Sequence, residues 1–200
     1  MRVALTVAIV LLAWAPAATL TQTPADRERA RTHNRLGWEA LRSEQYDAAI
    51  KSFQAAIEIY TEYEYAHYGL GRALLAARRF ADAVEVLERG RDLYRAQAGR
   101  QFSSIQERQR YLENRILEID EQIRLLRSGP QTLSTQDLAR QHDTIKRDLQ
   151  EQLRRNQGLT IESTVPAFVS LSLGSAYFRN SRVRDAEREY RAAIDADGKL

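Results

Sequence analysis

The stretch QYDAAIKSF at 45–53 returns thirty-four residues later as RFADAVEVL at 79–87. A fixed period of that length constrains a chain more than its composition does, because it demands one supersecondary unit stacked on copies of itself. Registering the sequence on 34 residues gives two consecutive units, 30–63 and 64–97, and a third copy at 167–200. Leu36, Leu70 and Leu173 share one place, Gly37, Gly71 and Gly174 the next. Tyr46, Phe80 and Val183 coincide, as do Ala49, Ala83 and Ala186, then Phe53, Leu87 and Tyr190, then Ala56, Gly90 and Ala193. The physical reading is a pair of antiparallel helices. Small residues at unit positions 8 and 20 let the first helix approach the second, the small residue at 27 meets the next unit, and large apolar residues at 7, 17 and 24 fill the remaining space.

The first helix has a start signal in TPAD: Thr23 as N-cap, Pro24 at the first helical position, Asp26 three residues past the cap. Period, small positions and large apolar positions together resemble the tetratricopeptide (TPR) repeat family, over about half the chain. The resemblance departs at position 4, usually Trp or Leu, where His33, His67 and Ser170 stand, and at position 32, usually Pro, which is Thr61, Arg95 and Gly198. Neither Thr61 nor Arg95 stops a helix as Pro would.

The 69 residues between the second and third copies, 98–166, do not fit the period. Phe102, Ile105, Gln109, Leu112, Ile116, Ile119, Ile123 and Leu126 follow an alternating 3–4 spacing, a heptad seam. SGP at 128–130 stops that helix, STQD at 134–137 is a capping box for another, and Leu138, His142, Ile145, Leu149 and Leu153 continue with helical spacing to Gly158. The pattern predicts an antiparallel coiled-coil hairpin with Leu126 by Leu138, Ile119 by Ile145, Ile116 by Leu149, and Gln109 near Asn156 to fix register. A first arm unbroken from Asp82 to Arg127 spans on the order of 65 Å at 1.5 Å per residue, so the hairpin is expected to project from the repeats. The alternative is that its base packs as a degenerate fourth repeat. The fold class expected is all-α, a TPR-like helical-hairpin solenoid interrupted by a long antiparallel coiled-coil hairpin: 24–97 two repeats, 98–166 the insert, 167–200 the third repeat.

The N-terminus carries Arg2, an apolar run from Val3 to Trp14, and Ala15-Pro16-Ala17. Twelve apolar residues suit a signal-peptide core better than a membrane span, and Ala-x-Ala suits cleavage after Ala17. The reading is a signal peptide over 1–17 and a periplasmic or secreted protein, with a retained anchor as the alternative. Cysteine is absent, which excludes thiol nucleophiles, disulfides and Cys-based zinc sites. The balance of 30 basic to 27 acidic residues alternates in sign along the chain, as solvated helix faces do, and not as a nucleic-acid footprint does. The same alternation places the acids on solvent faces.

No H-E-x-x-H, G-x-S-x-G or phosphate-binding glycine loop occurs, and GLGRALL at 69–75 sits mid-helix, where glycines serve close packing. A non-catalytic protein without a cofactor is expected. His33 and His67 share position 4 of adjacent units and are assigned to packing, His142 to a polar place in the hairpin seam. The family resemblance implies a concave surface lined by the first helix of each unit, with positions 2, 5, 9 and 12 facing a bound peptide. On this chain those are Arg31, Asn34, Trp38 and Leu41, then Tyr65, Tyr68, Arg72 and Leu75, then Phe168, Leu171, Ser175 and Phe178. Asn34, Trp38, Tyr65, Tyr68, Arg72, Phe168 and Phe178 are the candidate peptide-binding residues, types that dominate binding hot spots or bond peptide groups. Relatives that grip a C-terminal carboxylate use Lys at position 5 and Asn at position 9, which this chain lacks. The function expected is a protein–protein interaction scaffold using the groove, the hairpin or both. Two alternatives are a docking or regulatory region of a larger envelope enzyme, and a self-assembling structural protein. The third copy ends at Leu200 without a polar capping helix, so the chain is expected either to be an abridged product or to pair end-on with a partner, and self-assembly through the hairpin is the route to a homo-oligomer.

Overall fold

Thr23 caps the first helix as its sequence requires: the Asp26 N–H donates to Thr23 Oγ1 at 3.2 Å and the Thr23 N–H to Asp26 Oδ2 at 2.9 Å. That reciprocal pair, with Arg29 beside it, lowers the Asp26 pKa to about 2. The computed structural model describes residues 23–130 and 132–197, so the expected signal peptide lies outside the described residues. Eight helices follow: α1 (Pro24–Arg42), α2 (Tyr46–Ile59), α3 (Glu64–Ala76), α4 (Phe80–Gln97), α5 (Ile105–Ser128), α6 (Leu133–Arg155), α7 (Ala167–Arg179) and α8 (Val183–Ala196). Among the described residues none is long and apolar enough to cross a membrane.

Helices α1/α2, α3/α4 and α7/α8 are the three hairpin units. Their shared packing is visible at the glycines. A Cβ on Gly37 would stand 2.7 Å from the Phe53 ring, one on Gly71 2.4 Å from Leu87, and one on Gly174 2.7 Å from Tyr190. In each unit the large residue at position 24 therefore rests on the bare backbone at position 8. Gly69 receives the same Phe53 ring from the other side, which joins α2 to α3. At position 27 of the second unit, Gly90 lies nearest to His67 of its own unit, where the expectation was the next unit.

The turns repeat as closely as the helices. Glu44, Arg78 and Ser181 each take a left-handed conformation with φ of 57°, 60° and 60°. All three sit at unit position 15. The following N–H donates back across the turn, Gln45 to Ala40 O, Arg79 to Leu74 O and Arg182 to Tyr177 O, at 2.9, 2.9 and 2.8 Å. This closes each first helix in the geometry that glycine normally occupies.

Helix α7 packs on α4 much as α3 packs on α2, so the third unit continues the stack as though the insert were absent. The insert is no fourth repeat. Its arm is also broken, not continuous from Asp82: Gly99 turns at φ 74°, and the extended residues around Gln101 pair with Thr160. Phe102 N–H donates to Leu159 O at 2.8 Å, and Ser104 then caps α5 through the Glu107 N–H. Helix α6 starts two residues earlier than the predicted capping box, with Thr132 as cap and Thr135 as its partner.

The larger correction concerns direction. Helices α5 and α6 run antiparallel, tied by Lys146 to Asp120 at 2.6 Å and Arg127 to Asp143 at 2.5 Å, close to the predicted register. Arg108, donating to Gln152 O and Thr160 O, holds the open end of the pair, a role predicted for Gln109 with Asn156. The hairpin does not project. It folds back and lies along α1, α3 and α7, and the reason is chemical: α5 buries Leu112, Ile119 and Ile123 but also Arg115, Glu118 and Gln122. A polar stripe of that kind needs partners, and the repeats supply them.

Helix α8 exposes Arg184, Glu187, Arg188, Arg191 and Asp195 together with the apolar Val183 and Ile194. Ser181→Gly and Glu44→Gly each relieve a left-handed side-chain clash of about 1–2 kcal/mol, partly offset by glycine's greater freedom when unfolded. Each substitution is expected to raise the melting temperature by roughly 2–4 °C, read by thermal circular dichroism. The same change at Ser43, one residue earlier and with negative φ, is expected to lower it.

Candidate partner-binding face

The first helices α1, α3 and α7 present positions 2, 5, 9 and 12 to one side, as the family resemblance implied. The structure brings most of the seven candidates together, but beneath the hairpin. Asn34, Tyr65 and Tyr68 are each 1% exposed, Phe168 3% and Trp38 8%. Trp38 meets Phe53 edge-on at 5.5 Å and leans over Tyr68 at 5.7 Å, and Tyr68 continues to Phe168 at 4.8 Å. Arg72 donates to the Tyr68 hydroxyl at 2.9 Å. Phe178 alone stands apart, 58% exposed. The aromatic row is thus the floor under a docked element and not an open groove.

His142 of α6 completes that row. Its ring stacks on Phe168 at 4.7 Å with planes 10° apart and lies 5.9 Å from Tyr65, while Nδ1 donates to Leu138 O at 2.8 Å. It therefore belongs to the contact with the repeats and not to a seam between α5 and α6. Burial lowers its pKa to about 4, with nearby Arg115 adding to the effect and the Leu138 bond opposing it.

Charge holds the hairpin from the other side. Arg27 Nε and Nη2 donate to both oxygens of Glu118 at 2.6 and 2.9 Å. Arg115 donates to Glu118 at 3.2 Å and to Glu64 of α3, with its guanidinium 5.0 Å from the Tyr65 ring centre. Glu64, Glu118 and Arg115 are no more than 5% exposed, so three elements meet in one buried, neutral set of two cations and two anions. Burial alone would lower the Arg27 and Arg115 pKa values, but the facing carboxylates raise both. Next along α1, Arg31 and Arg35 reach Glu121 at 3.3 and 3.6 Å, and Arg42 donates to Leu125 O and Ser128 Oγ at 3.1 and 2.8 Å. These acids contradict the placement of carboxylates on solvent faces. The available signal was Arg115 and Glu118, three apart on α5 between seam positions.

Where the hairpin tip stops, a cavity of about 940 Å³ remains open between it and the far ends of α1, α3 and α7. Trp38, Leu41 and Leu75 line it from the repeats, Leu125, Leu126 and Leu138 from the hairpin, and Arg42, Arg72, Arg78 and Arg179 around them. His67 Nε2 donates to Thr61 O at 3.0 Å and packs on Gly90 as a structural residue. Among the described residues no group of three His, Asp or Glu could hold a metal ion.

An all-α stack of helical hairpins with a concave, aromatic-lined face defines a repeat-solenoid class. Residues 40–101, from the end of α1 through α4, match the tetratricopeptide repeat family. No curated protein matches the chain.

Removing one member of the buried charge set leaves its partners uncompensated, which typically costs about 3–5 kcal/mol. Glu118→Ala is expected to lower stability by that order in urea unfolding, whereas Arg27→Met with Glu118→Leu together lose less. Protonation predicts a second dependence. Because the folded pKa of His142 lies below its unfolded value near 6.5, its contribution is full above about pH 6.5 and is lost as pH falls toward 4. Stability is expected to drop by about 3 kcal/mol across that window, and His142→Phe to flatten this part of the profile. An unchanged slope in the variant would remove His142 from the account.

Proposed function

We propose that this chain is an exported, non-catalytic protein–protein interaction scaffold. It receives a protein partner in the cavity left open between the hairpin tip and the concave face of the repeats. The repeat family supports the scaffold role, and the leader-like residues 1–17 support export to a periplasmic or secreted location. The observation that carries the partner site is the cavity of about 940 Å³, within the range that accepts short peptide side chains and lined by apolar walls with a few polar groups. Family geometry directs a peptide to the concave face, and the hairpin leaves only this end of it open. Titratable groups elsewhere on that face are committed to the ion pairs that hold the hairpin, which leaves them poorly placed for acid–base chemistry.

A photo-reactive residue at Leu75, inside the cavity, is expected to cross-link a protein partner when the full chain is expressed and exported. The same residue at Leu117, 53% exposed on the hairpin, serves as the comparison. Capture only from Leu117 would move the binding surface to the hairpin, and capture from neither would remove the scaffold reading.

A further inference from the structure

The concave face contains more arginine than its own hairpin neutralises. Along α1, Arg27 meets Glu118, and Arg31 and Arg35 meet Glu121. One step further, Arg42 meets only the Leu125 carbonyl and the Ser128 hydroxyl, because α5 ends at Ser128. The cavity begins there, bordered by Arg42, Arg72, Arg78 and Arg179 against one acid, Glu44. Arg72 has the Tyr68 hydroxyl as its hydrogen-bond acceptor, and among the described residues none of the four cations pairs with a carboxylate. The hairpin itself displays the recognition rule: carboxylates of a helical segment seated on a row of arginines, with leucines packed beside them. The row of cations outlasts the row of anions by the length of the cavity.

We infer that the cavity takes an acidic segment of a protein partner, one that places Asp or Glu side chains on Arg42, Arg72 and Arg179 and apolar side chains between Leu41, Leu75 and Leu138. This rests on the scaffold reading above and specifies its partner chemistry. Side-chain carboxylates fit better than a chain terminus, because the cations are spread around the opening and do not converge on one point.

The probe is a fluorescein-labelled octapeptide of alternating Glu and Leu, titrated with the full chain by fluorescence anisotropy. Comparison peptides replace every Glu with Gln or with Lys. The acidic peptide is expected to bind roughly tenfold or more tightly than the Gln peptide, with the preference shrinking as salt rises. Arg72→Gln and Arg179→Gln are each expected to reduce the preference, while Arg184→Gln on the outer face of α8 leaves it intact. Arg179 is exposed and supports no packing, so its variant stays informative even if Arg72→Gln disturbs Tyr68. Equal binding of the acidic and amide peptides overturns the inference, as does loss of the peptide to inorganic phosphate or anionic vesicles at matched charge. Failure here with cross-linking from Leu75 intact leaves the scaffold reading standing and removes only its acidic partner.

Discussion

The buried set formed by Arg27, Glu64, Arg115 and Glu118 decides the shape of this molecule. Without it α5 and α6 would be an amphipathic pair free to point anywhere, since nothing in the stacking of α4 on α7 depends on the insert. With it, one guanidinium from α5 is held between carboxylates of α3 and α5, and one from α1 closes the set. Burying four charges is costly even when they neutralise one another, and apolar residues of similar size often give equal or better stability. What ion pairs supply is discrimination between positions, because a hairpin displaced by one turn would strand every one of these groups. The aromatic row beneath, from Trp38 through Tyr68 and Phe168 to His142, supplies the burial that offsets the desolvation.

The same constraint explains what the concave face has become. In a bare stack, Tyr65, Tyr68 and Phe168 would meet solvent or a peptide. Here their own chain covers them, and the covering element obeys the chemistry expected of a ligand: acids on arginines and an imidazole on an aromatic face. The linkers that permit this are short and specific. Gly99 and Gly158 take left-handed conformations at the two crossings, and between them the chain pairs Gln101 with Thr160. Gln152 fastens the return path by exchanging bonds with Glu162 at 2.7 and 2.9 Å. The insert is thus anchored at its base as well as along its length.

The repeat units were legible because each is a local statement. Position 8 must be small if position 24 is large, and Gly37 with Phe53, Gly71 with Leu87, and Gly174 with Tyr190 write that rule three times. The helices of the insert were legible for the same reason, with Leu112, Ile119 and Ile123 marking the apolar face. The destination of the insert was not. Its docking rests on contacts between residues 51 and 91 apart in sequence, Arg115 with Glu64 and Arg27 with Glu118, and no period links them. Glu118 in an arginine-rich helix looks like any solvated acid. Only the second buried stripe of α5, Arg108, Arg115, Glu118 and Gln122, distinguishes it, and a buried polar stripe cannot be told from an exposed one by composition. The left-handed turns were hidden too, since Glu44, Arg78 and Ser181 are not the glycines that announce them.

The side of the repeats on which the candidate residues lie was legible, and their exposure was not. Trp38, Tyr68 and Arg72 border the cavity, on the side that their places in the unit imply. Yet a unit position fixes only which way a side chain points, and exposure depends on what else the chain brings to that side. A hairpin long enough to cover α1, α3 and α7 completely would leave a sealed core and no site. This one ends at Ser128 and resumes at Leu133, and the tip leaves Leu41, Leu75 and Arg72 facing open space. The length of the insert, set by where SGP stops α5, therefore determines how much of the repeat face remains uncovered.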